Sequence, residues 1–245
     1  LQPSRGYRAG IDAVLLAASV SLPPGQRADV ADFGAGVGTV GLCLAARCPD
    51  AHVTLVEREP ALVGLAEQNI VRNGFSGRVR VVEGDVTAPA SSPAAPPLPP
   101  EIFDWVLANP PFHETAGGTP AQDPLKSASH AMDAPSLALW ARMAARMAKP
   151  GGRLVLIHKT AALPALLESL GNRFGGLRIR PIYPRAGEPA IRVLVEGIKG
   201  SRAEMSLRPP VILHAPDGSF TPYVSRILRE GAGLEDGAGS GPSGA

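Results

Sequence analysis

The sequence predicts an α/β protein built on a seven-stranded, mostly parallel sheet that ends in an antiparallel hairpin. Apolar segments with strand character alternate with helical segments between residues 28 and 172, which is typical of a parallel sheet covered by helices on both faces. The last two predicted strands are joined by residues 184–189 alone. Because this connection is too short for a helical crossover, the two strands are expected to pair as an antiparallel hairpin.

The predicted elements follow one another in a regular order. The strands are expected at Ala28–Phe33, Ala51–Glu57, Val79–Glu83, Phe103–Ala108, Arg153–His158, Arg178–Tyr183 and Arg192–Gly197. The helices are expected at Gly10–Val20, Val37–Cys48, Pro60–Asn73, Ser136–Ala148 and Leu163–Asn172. Asp12 is expected to cap the first helix at its N-terminus, and Pro60 suits the first turn of the third helix.

The chain is expected to form one domain over residues 1–230. Its length of 245 residues is enough for one substantial core. Residues 1–27 are expected to form a leading helical segment. Residues 86–101 are expected to be an irregular, mobile loop, because six prolines lie between residues 87 and 100. The glycine-rich residues 231–245 are expected to be a disordered tail.

Composition argues against several classes of protein. The two cysteines, Cys43 and Cys48, provide neither a disulfide framework nor a zinc cluster, so we expect no metal site and a reducing, cytoplasmic compartment. No apolar run approaches the ~20 residues that a membrane-spanning helix needs, so no membrane partner is expected. The oligomeric state is left open by the sequence.

The charge of the chain is unevenly distributed. The formal net charge of +2 is too small to indicate a nucleic-acid partner by itself. Residues 178–208, however, hold seven basic and three acidic residues. Two interpretations stay open, namely a solvated basic surface and a flank that faces phosphate groups.

A glycine-rich loop, Asp-Phe-Gly-Ala-Gly-Val-Gly at residues 32–38, follows the first strand. Glycines at this edge of a sheet allow a tight turn and a close backbone approach to a ligand, and the next helix offers free N–H groups. A plain structural turn and a dinucleotide site over residues 36–41 are the alternatives. The register resembles the S-adenosylmethionine (SAM) loop of class I methyltransferases. The resemblance implies cofactor contacts from Asp32, Gly34, Ala35, Gly36 and Gly38.

Two acidic residues follow the next two strands. Glu57 ends the second strand about 20 residues past the loop, where a carboxylate can accept hydrogen bonds from both ribose hydroxyls of a nucleoside cofactor. NAD sites use the same arrangement, so Glu57 does not distinguish the two cofactors. The resemblance to methyltransferases implies that Asp85 accepts from the cofactor adenine, with a turn-forming aspartate as the alternative. Val86 and Asn109 are expected to contact the cofactor as well.

The fourth strand leads into Asn109-Pro110-Pro111-Phe112. The two prolines fix the backbone and remove two N–H donors, so the Asn109 side chain and the Pro110 carbonyl are presented as rigid acceptors. Such acceptors suit an –NH₂ group whose lone pair is delocalised into a ring or amide, because bonding its hydrogens localises the lone pair toward a methyl donor. Phe112 is expected to stack on the flat target. An ordinary proline-rich turn is the structural alternative.

The combination resembles the amino-methyltransferases with an [NDS]-P-P-[FYW] motif. Residues 1–3, 6–18, 154–158 and 184–187 are similar, more narrowly, to the bacterial tRNA(Val) adenine N(6)-methyltransferase group of the small-methyltransferase type. This resemblance implies a class I, Rossmann-like SAM-dependent fold and methylation of an adenine amine in tRNA near the anticodon. Phe112 departs from the tyrosine frequent in adenine-modifying members. Possible substrate contacts are Tyr7, Arg8, Asp12, His113, Lys126 and Arg185.

Other functions remain open at this point. The same chemistry serves a guanine amine in rRNA or a protein glutamine amide. A hydroxyl target fits less well, because it leaves the amine-binding motif without a purpose. An NAD-dependent oxidoreductase on the same kind of sheet leaves residues 109–112 without a role, and a non-catalytic SAM- or RNA-binding module is disfavoured by the intact motif.

Overall fold

The structure, a computed structural model, describes residues 1–3, 10–111 and 134–234. The strands are β1 (Ala28–Phe33), β2 (Ala51–Glu57), β3 (Val79–Glu83), β4 (Phe103–Ala108), β5 (Ala148–Lys159), β6 (Phe174–Arg185), β7 (Arg192–Lys199), β8 (Ser206–Leu207) and β9 (Val211–His214). The helices are α1 (Ile11–Ala18), α2 (Thr39–Arg47), α3 (Pro60–Arg72), α4 (Ala134–Met147), α5 (Leu163–Leu170) and α6 (Pro222–Glu230).

All strands in the described part of the chain form one sheet in the order β3-β2-β1-β4-β5-β7-β6-β8, and β9 also pairs with β6. The pairs from β3 to β5 are parallel. Strand β7 lies antiparallel between β5 and β6, as the short connection after β6 predicts. The predicted α/β fold with a mostly parallel sheet and an antiparallel hairpin is confirmed, but the described residues form nine strands rather than seven, because β8 and β9 pair with β6 after the hairpin.

The core lies in two layers, one on each face of the sheet. Because successive strand residues point to opposite faces, Val30 and Leu55 pack with α1, α2, α3 and α6, whereas Phe33 and Val56 pack with α4 and α5. The strands in the middle of the sheet are buried on both faces, as parallel strands between helices must be. This packing fixes the carboxyl ends of β1, β2 and β4 side by side.

The C-terminal quarter departs from the prediction. The sequence analysis placed no strand or helix after the hairpin, yet β8 and β9 extend the sheet and α6 packs on α1. Helix α6 has recognisable signals, since the Thr221 side chain accepts a hydrogen bond from the Val224 amide and Pro222 is its first residue. Of the predicted disordered tail, residues 231–234 are described, and Leu234 donates its amide to Ala18. Residues 235–245 lie outside the described residues.

The predicted cap of α1 is corrected. The N-cap of α1 is Gly10, which makes no side-chain cap, and Asp12 lies inside the first turn, where it binds Arg192 instead. The proline-rich segment 86–101 has no helix or strand, as predicted, and a few of its residues contact the core. Leu98 is buried beside Val86, and the Asp85 amide donates to the Ala94 carbonyl at 2.7 Å.

No helix in residues 1–3, 10–111 and 134–234 has the length and apolar character needed to cross a membrane. Over the same ranges, no group of three or more His, Cys, Asp and Glu side chains is arranged to hold a metal ion.

Candidate active site

The glycine-rich loop after β1 requires glycine at three positions. Gly34, Gly36 and Gly38 have φ values of +63°, +57° and +87°, a region that other residues adopt only with strain. The Ala35 amide donates to the Val56 carbonyl at 3.0 Å, which ties the loop to β2. The loop therefore turns tightly from β1 into the N-terminus of α2, where Gly38 is the residue that precedes the helix.

Close packing holds this loop from both sides. A Cβ atom on Gly38 would lie 2.8 Å from a Leu55 methyl group, and a Cβ on Gly41 would lie 2.3 Å from the other Leu55 methyl. On the opposite side, a Cβ on Gly34 would lie 2.6 Å from Cη2 of the Trp140 indole. The glycines thus allow β2 and α4 to approach the backbone of the loop directly.

Asp32 lies behind the loop and is 1% exposed. Its Oδ2 accepts a hydrogen bond from the Gly41 amide at 3.0 Å, which satisfies one of the free N–H groups in the first turn of α2. Burial is the main reason that the pKa of Asp32 is raised to about 7; the Gly41 hydrogen bond opposes this rise, and the nearby Glu57 carboxylate contributes to it. Among its described contacts, Asp32 therefore fixes the start of α2 and the loop before it.

Glu57 joins the loop to the end of β2. Its Oε2 accepts from the Gly36 amide at 2.7 Å, and its Oε1 accepts from the amides of Arg58 and Glu59 at 2.8 and 3.0 Å. A carboxylate oxygen can accept more than one hydrogen bond, so these bonds leave capacity for ribose hydroxyls. The same bonds hold the carboxylate in one orientation at the carboxyl edge of the sheet.

Asp85 and Val86 follow β3 at the same edge. The Asp85 Oδ1 accepts from the amide and hydroxyl of Thr87 at 2.7 and 2.6 Å, which is the turn that the alternative interpretation predicts. Its Oδ2 lies 3.7 Å from Nη1 of Arg58 and is the oxygen that remains for a cofactor amine. Val86 is buried against Val56 and Leu98 and gives this part of the edge an apolar wall.

Asn109 stands at the end of β4, next in the sheet to β1 and its glycine-rich loop. Its Oδ1 is buried and has no hydrogen-bond partner among the described residues. A buried acceptor without a donor costs about 1–3 kcal/mol, so such a group usually serves a ligand. Pro110 is buried and Pro111 half-buried, which keeps the chain rigid directly after Asn109.

The end of β5 contributes a neutral histidine beside Asn109. Ala108 pairs with Leu156, so His158 stands level with Pro110 one strand away. Burial lowers the pKa of His158 to about 4, and the charges of Arg192 and Lys159 add to this effect. At neutral pH the imidazole is therefore uncharged and offers no proton to a substrate.

Of the remaining residues predicted to contact the substrate, Asp12 and Arg185 are described by the structure. Asp12 accepts from Nε of Arg192 at 2.8 Å, a bond that ties α1 to the start of β7 at the edge that carries the site. Arg185 is exposed at the end of β6 and pairs with Glu188 at 3.2 Å. The other predicted residues lie outside the described residues, namely Tyr7, Arg8, Phe112, His113 and Lys126.

Two residues that sequence analysis missed support the loop. Trp140 of α4 covers Gly34, and the Nδ2 of Asn69 on α3 donates to the Val37 carbonyl at 3.0 Å. Both side chains are buried. A tryptophan or an asparagine in an amphipathic helix carries no local sequence signal that it supports a neighbouring loop. Their function depends on contacts between elements distant in sequence, which only the folded chain provides.

These residues fit S-adenosylmethionine. The three left-handed glycines let the backbone approach a ligand, and Glu57 places a carboxylate about 20 residues past the loop, where a ribose can bind. The Oδ2 of Asp85 accepts neither of the Thr87 hydrogen bonds. Asn109 then places an unsatisfied acceptor next to the glycine-rich loop. The sheet order and this site together define the class I, Rossmann-like SAM-dependent methyltransferase fold.

The comparison with protein families agrees. The model of the "Methyltransferase small domain" matches residues 11–175, which is more than half of the chain. The chain therefore belongs to the methyltransferase small domain family. It is an enzyme that uses S-adenosylmethionine as its methyl donor.

Individual relatives differ in their described substrates. A tRNA1(Val) (adenine(37)-N6)-methyltransferase of Porphyromonas gingivalis is 28% identical over 231 residues, which cover 92% of this chain and 89% of that protein. A release factor glutamine methyltransferase of Gloeobacter violaceus is 31% identical over 183 residues, covering 71% and 60%. A crystal structure from Agrobacterium tumefaciens, described as a predicted O-methyltransferase, superimposes with a TM-score of 0.75 at 35% identity, covering 91% and 98%.

Proposed function

We propose that this methyltransferase modifies the exocyclic amine of an adenine in RNA, in a tRNA near the anticodon. The observation that carries the proposal is the buried Oδ1 of Asn109, which has no donor among the described residues and lies beside the cofactor loop. An acceptor in this position selects a substrate that brings an N–H group to it. Sites of this kind strongly disfavour an analogue that lacks the donor.

The chemistry follows from the position of the acceptors. Bound S-adenosylmethionine supplies an electrophilic methyl group. The Asn109 Oδ1 and the Pro110 carbonyl accept the two hydrogens of the –NH₂ group, which draws the nitrogen toward tetrahedral geometry and localises its lone pair toward that methyl. The cofactor would leave as S-adenosylhomocysteine after the transfer, and the methylated nitrogen would release one proton to solvent. His158 is uncharged at neutral pH, because its pKa is lowered to about 4, so it does not act as a general acid in this reaction.

Asp32, Glu57 and Asp85 serve the cofactor in this proposal. Asp32 acts indirectly, because it holds the first turn of α2 and with it the loop. Glu57 receives the ribose hydroxyls with its remaining acceptor capacity, and Oδ2 of Asp85 receives the adenine amine. The loop glycines and Ala35 pack against the methionine part.

The choice of an RNA adenine rests on the relatives and on charge. The alignment spans 89% of the tRNA-modifying relative from P. gingivalis but 60% of the release factor enzyme from G. violaceus. A basic segment over residues 178–208 supports a polyanionic substrate. Phe112 retains the aromatic face that stacks on a flipped or single-stranded base.

The first experiment identifies the methylated product. The enzyme is incubated with radiolabelled SAM and total tRNA from a strain that lacks it, and the RNA is digested to nucleosides. The expected label is in 6-methyladenosine. Label in a methylguanosine, in protein glutamine, or in a hydroxyl of the RNA would overturn the proposed target while leaving the methyltransferase class intact.

The second experiment tests Asn109 itself. Asn109→Ala is expected to lower kcat by about 10²–10³-fold with SAM affinity nearly unchanged, because an acceptor used in the transition state is lost. Asn109→Ser, which keeps an oxygen, should retain more activity, and Asn172→Ala on the exposed surface serves as the matched control. Turnover of Asn109→Ala close to that of Asn172→Ala would contradict the assigned role.

A further inference from the structure

One face of the sheet is open at the edge that carries the active site. Strand β6 runs parallel to β5, because β7 lies antiparallel between them, so β6 ends at the same edge as β4 and Asn109. On the face covered by α4 and α5, the core includes Ile179 of β6. Strand residues two apart share a face, so Tyr183 and Arg185 continue this face toward the active-site edge. Tyr183 is half-buried but belongs to neither layer of the core in the described part of the chain, and Arg185 is exposed.

Strand β9 and the turn after it add two stacked rings to this face. The register with β6 places His214 beside Arg185, and Leu213 points into the core on the other face. Phe220 bridges back to His214 across a short turn, and the two rings stack with their centres 4.8 Å apart and their planes inclined by 20°. We call Tyr183, Arg185, His214 and Phe220 the aromatic patch.

The exposure of the aromatic patch is unusual for this protein. Aromatic residues make up only 4% of the chain. Phe220 is 38% exposed, whereas the other described phenylalanines are buried or half-buried. A single exposed apolar residue needs no explanation, but a group of rings that share an open face with a cationic side chain is typical of a binding surface.

Arg185 gives the aromatic patch a cationic group. It pairs with Glu188 at 3.2 Å, but the two side chains are 49% and 43% exposed, and such a surface pair contributes little. A guanidinium has five N–H donors, so Arg185 can also bind a phosphate oxygen. Asp217, in the turn before Phe220, accepts from the amide and hydroxyl of Ser219. Because two acids lie near one arginine, the rings rather than an excess of charge must supply most of the affinity for a ligand.

The aromatic patch and the active site are separated by a distance that one RNA strand can span. Four strand-to-strand steps lead from β4 through β5, β7 and β6 to β9, or about 19 Å at about 4.8 Å per step. The edge between them carries two basic residues, Lys159 at the end of β5 and Arg192 at the start of β7, which pair in the register. Folds that bind single strands hold about 4–16 nucleotides, so a strand with one base at Asn109 can reach the patch.

We propose that the aromatic patch binds a single-stranded segment of the RNA substrate beside the methylated base. Unpaired bases stack on Tyr183 and on the His214–Phe220 pair, and Arg185 binds a phosphate group. Exposed rings on a sheet face suit this partner, because every base has a flat face and stacking needs no particular sequence. This inference rests on the proposed RNA substrate and adds the place where the strand next to the target base lies.

The first test measures binding without methyl transfer. Protein saturated with S-adenosylhomocysteine is titrated with a fluorescein-labelled decauridylate at low salt, and fluorescence anisotropy gives the Kd. Phe220→Ala and Tyr183→Ala are each expected to weaken binding at least about fivefold, because each removes a ring on which a base stacks. Phe220→Tyr keeps the ring and should bind about as tightly as the unchanged protein.

Leu207→Ala is the matched control. Leu207 is 73% exposed, and it pairs with Ile179 on the same face of the sheet, six residues or roughly 20 Å along β6 from Arg185. Its substitution removes exposed apolar surface outside the aromatic patch and should change the Kd less than about twofold. Thermal unfolding of each variant checks that it is folded, and the two ring variants lie on different strands, so one remains informative if the other is unstable.

Two further measurements separate RNA binding from a structural role. Arg185→Gln should reduce the slope of log Kd against log salt concentration by about 0.7, the value for one phosphate contact with a single strand. With total tRNA from a strain that lacks the enzyme, Phe220→Ala should raise KM more than it lowers kcat, because the ring lies far from the reacting nitrogen.

The proposal is overturned if the decauridylate does not bind, or if both ring variants bind it as tightly as Leu207→Ala does. It is also overturned, without harm to the proposed function, if RNA is methylated and the ring variants leave KM for tRNA unchanged. Methyl label in protein glutamine instead of RNA would overturn the proposed substrate, and this proposal with it.

Discussion

Substitution of Gly34 by alanine tests the contact between the cofactor loop and α4. Two effects add at this position. An L-residue at φ +63° carries a strain of about 1–2 kcal/mol, and the new Cβ would lie 2.6 Å from Cη2 of Trp140. Ordinary contact begins at 3.4 Å, so the loop or the ring must shift by about 0.8 Å. Overpacking of this kind costs a further 1–3 kcal/mol or so, and Trp140 is buried and cannot swing away.

Gly151→Ala is the matched control, because Gly151 has φ +73° but nothing within 4 Å of an added Cβ. Gly151→Ala should lower the free energy of unfolding by about 1–2 kcal/mol and leave SAM binding unchanged. Gly34→Ala should lower it by about 2–5 kcal/mol and weaken SAM binding at least about tenfold, since the displaced loop is the cofactor cradle. Urea unfolding and calorimetric titration with SAM measure the two quantities.

A double-mutant cycle separates the clash from the strain. Trp140→Phe removes the atom that Gly34→Ala would meet, so in that background Gly34→Ala should cost no more than Gly151→Ala does. The packing argument would be refuted if Gly34→Ala and Gly151→Ala changed the free energy of unfolding and the SAM affinity equally, because only the backbone strain is common to both.

Three further predictions concern buried polar groups. Asp32 keeps its proton up to about pH 7 when folded but loses it near 3.8 when unfolded, so it favours folding less as pH rises between these values. His158 acts in the opposite sense, because its folded pKa is about 4 and its unfolded pKa 6.5. Urea unfolding from pH 4 to 8 should therefore show stability rising with pH in Asp32→Asn and falling with pH in His158→Gln. A falling slope in Asp32→Asn would contradict the role given to His158, and a rising slope in His158→Gln would contradict the role given to Asp32. Asn69→Leu should weaken SAM binding severalfold, because it leaves the Val37 carbonyl without its donor. Gln68→Leu on the exposed side of α3 is the control and should leave SAM binding unchanged. Equal SAM affinities of the two variants would exclude a role for Asn69.

The sequence predicts the centre of the sheet more closely than its margins. The bounds of β1 to β4 agree with prediction to the residue, because each is a largely apolar run that ends at a glycine, at a glutamate or at an asparagine followed by proline. Strand β5 begins five residues earlier than predicted, at Ala148, through a Lys-Pro-Gly-Gly segment that is typical of a turn. Its pairing with β4 has a register shift between Phe103 and Trp105, so the segment joins the sheet irregularly.

The missed C-terminal elements have a different cause. Strand β9 is four residues long and stands between prolines and an Ala-Pro-Asp-Gly turn, so its alternating pattern is too short to identify. It becomes a strand because the edge of β6 that pairs with β8 continues beyond that pairing, and β9 pairs with it from Ile182 to Arg185. The neighbouring strand, rather than the local sequence, therefore determines its structure.

The cofactor edge was predictable where the signal is local. Gly34, Gly36 and Gly38 are recognisable in sequence because their backbone conformation excludes other residues, and Asn109 because two prolines follow it. The role of Asp32 required the structure. An acid before a glycine loop suggests a cofactor contact, which stays a prediction, and the structure adds that its Oδ2 accepts a hydrogen bond from the Gly41 amide at the start of α2.

The acceptors at Asn109 also bear on the difference between an amine and a hydroxyl substrate. An –NH₂ group brings two hydrogens to the Asn109 Oδ1 and the Pro110 carbonyl, whereas a hydroxyl brings one. A hydroxyl substrate would therefore leave one acceptor without a donor, at a cost of about 1–3 kcal/mol, or roughly a ten- to hundredfold lower kcat/KM. The A. tumefaciens relative is described as a predicted O-methyltransferase. A hydroxyl substrate of that kind would still bring only one hydrogen to the two acceptors. For this chain, the buried Oδ1 of Asn109 favours nitrogen as the atom that accepts the methyl group.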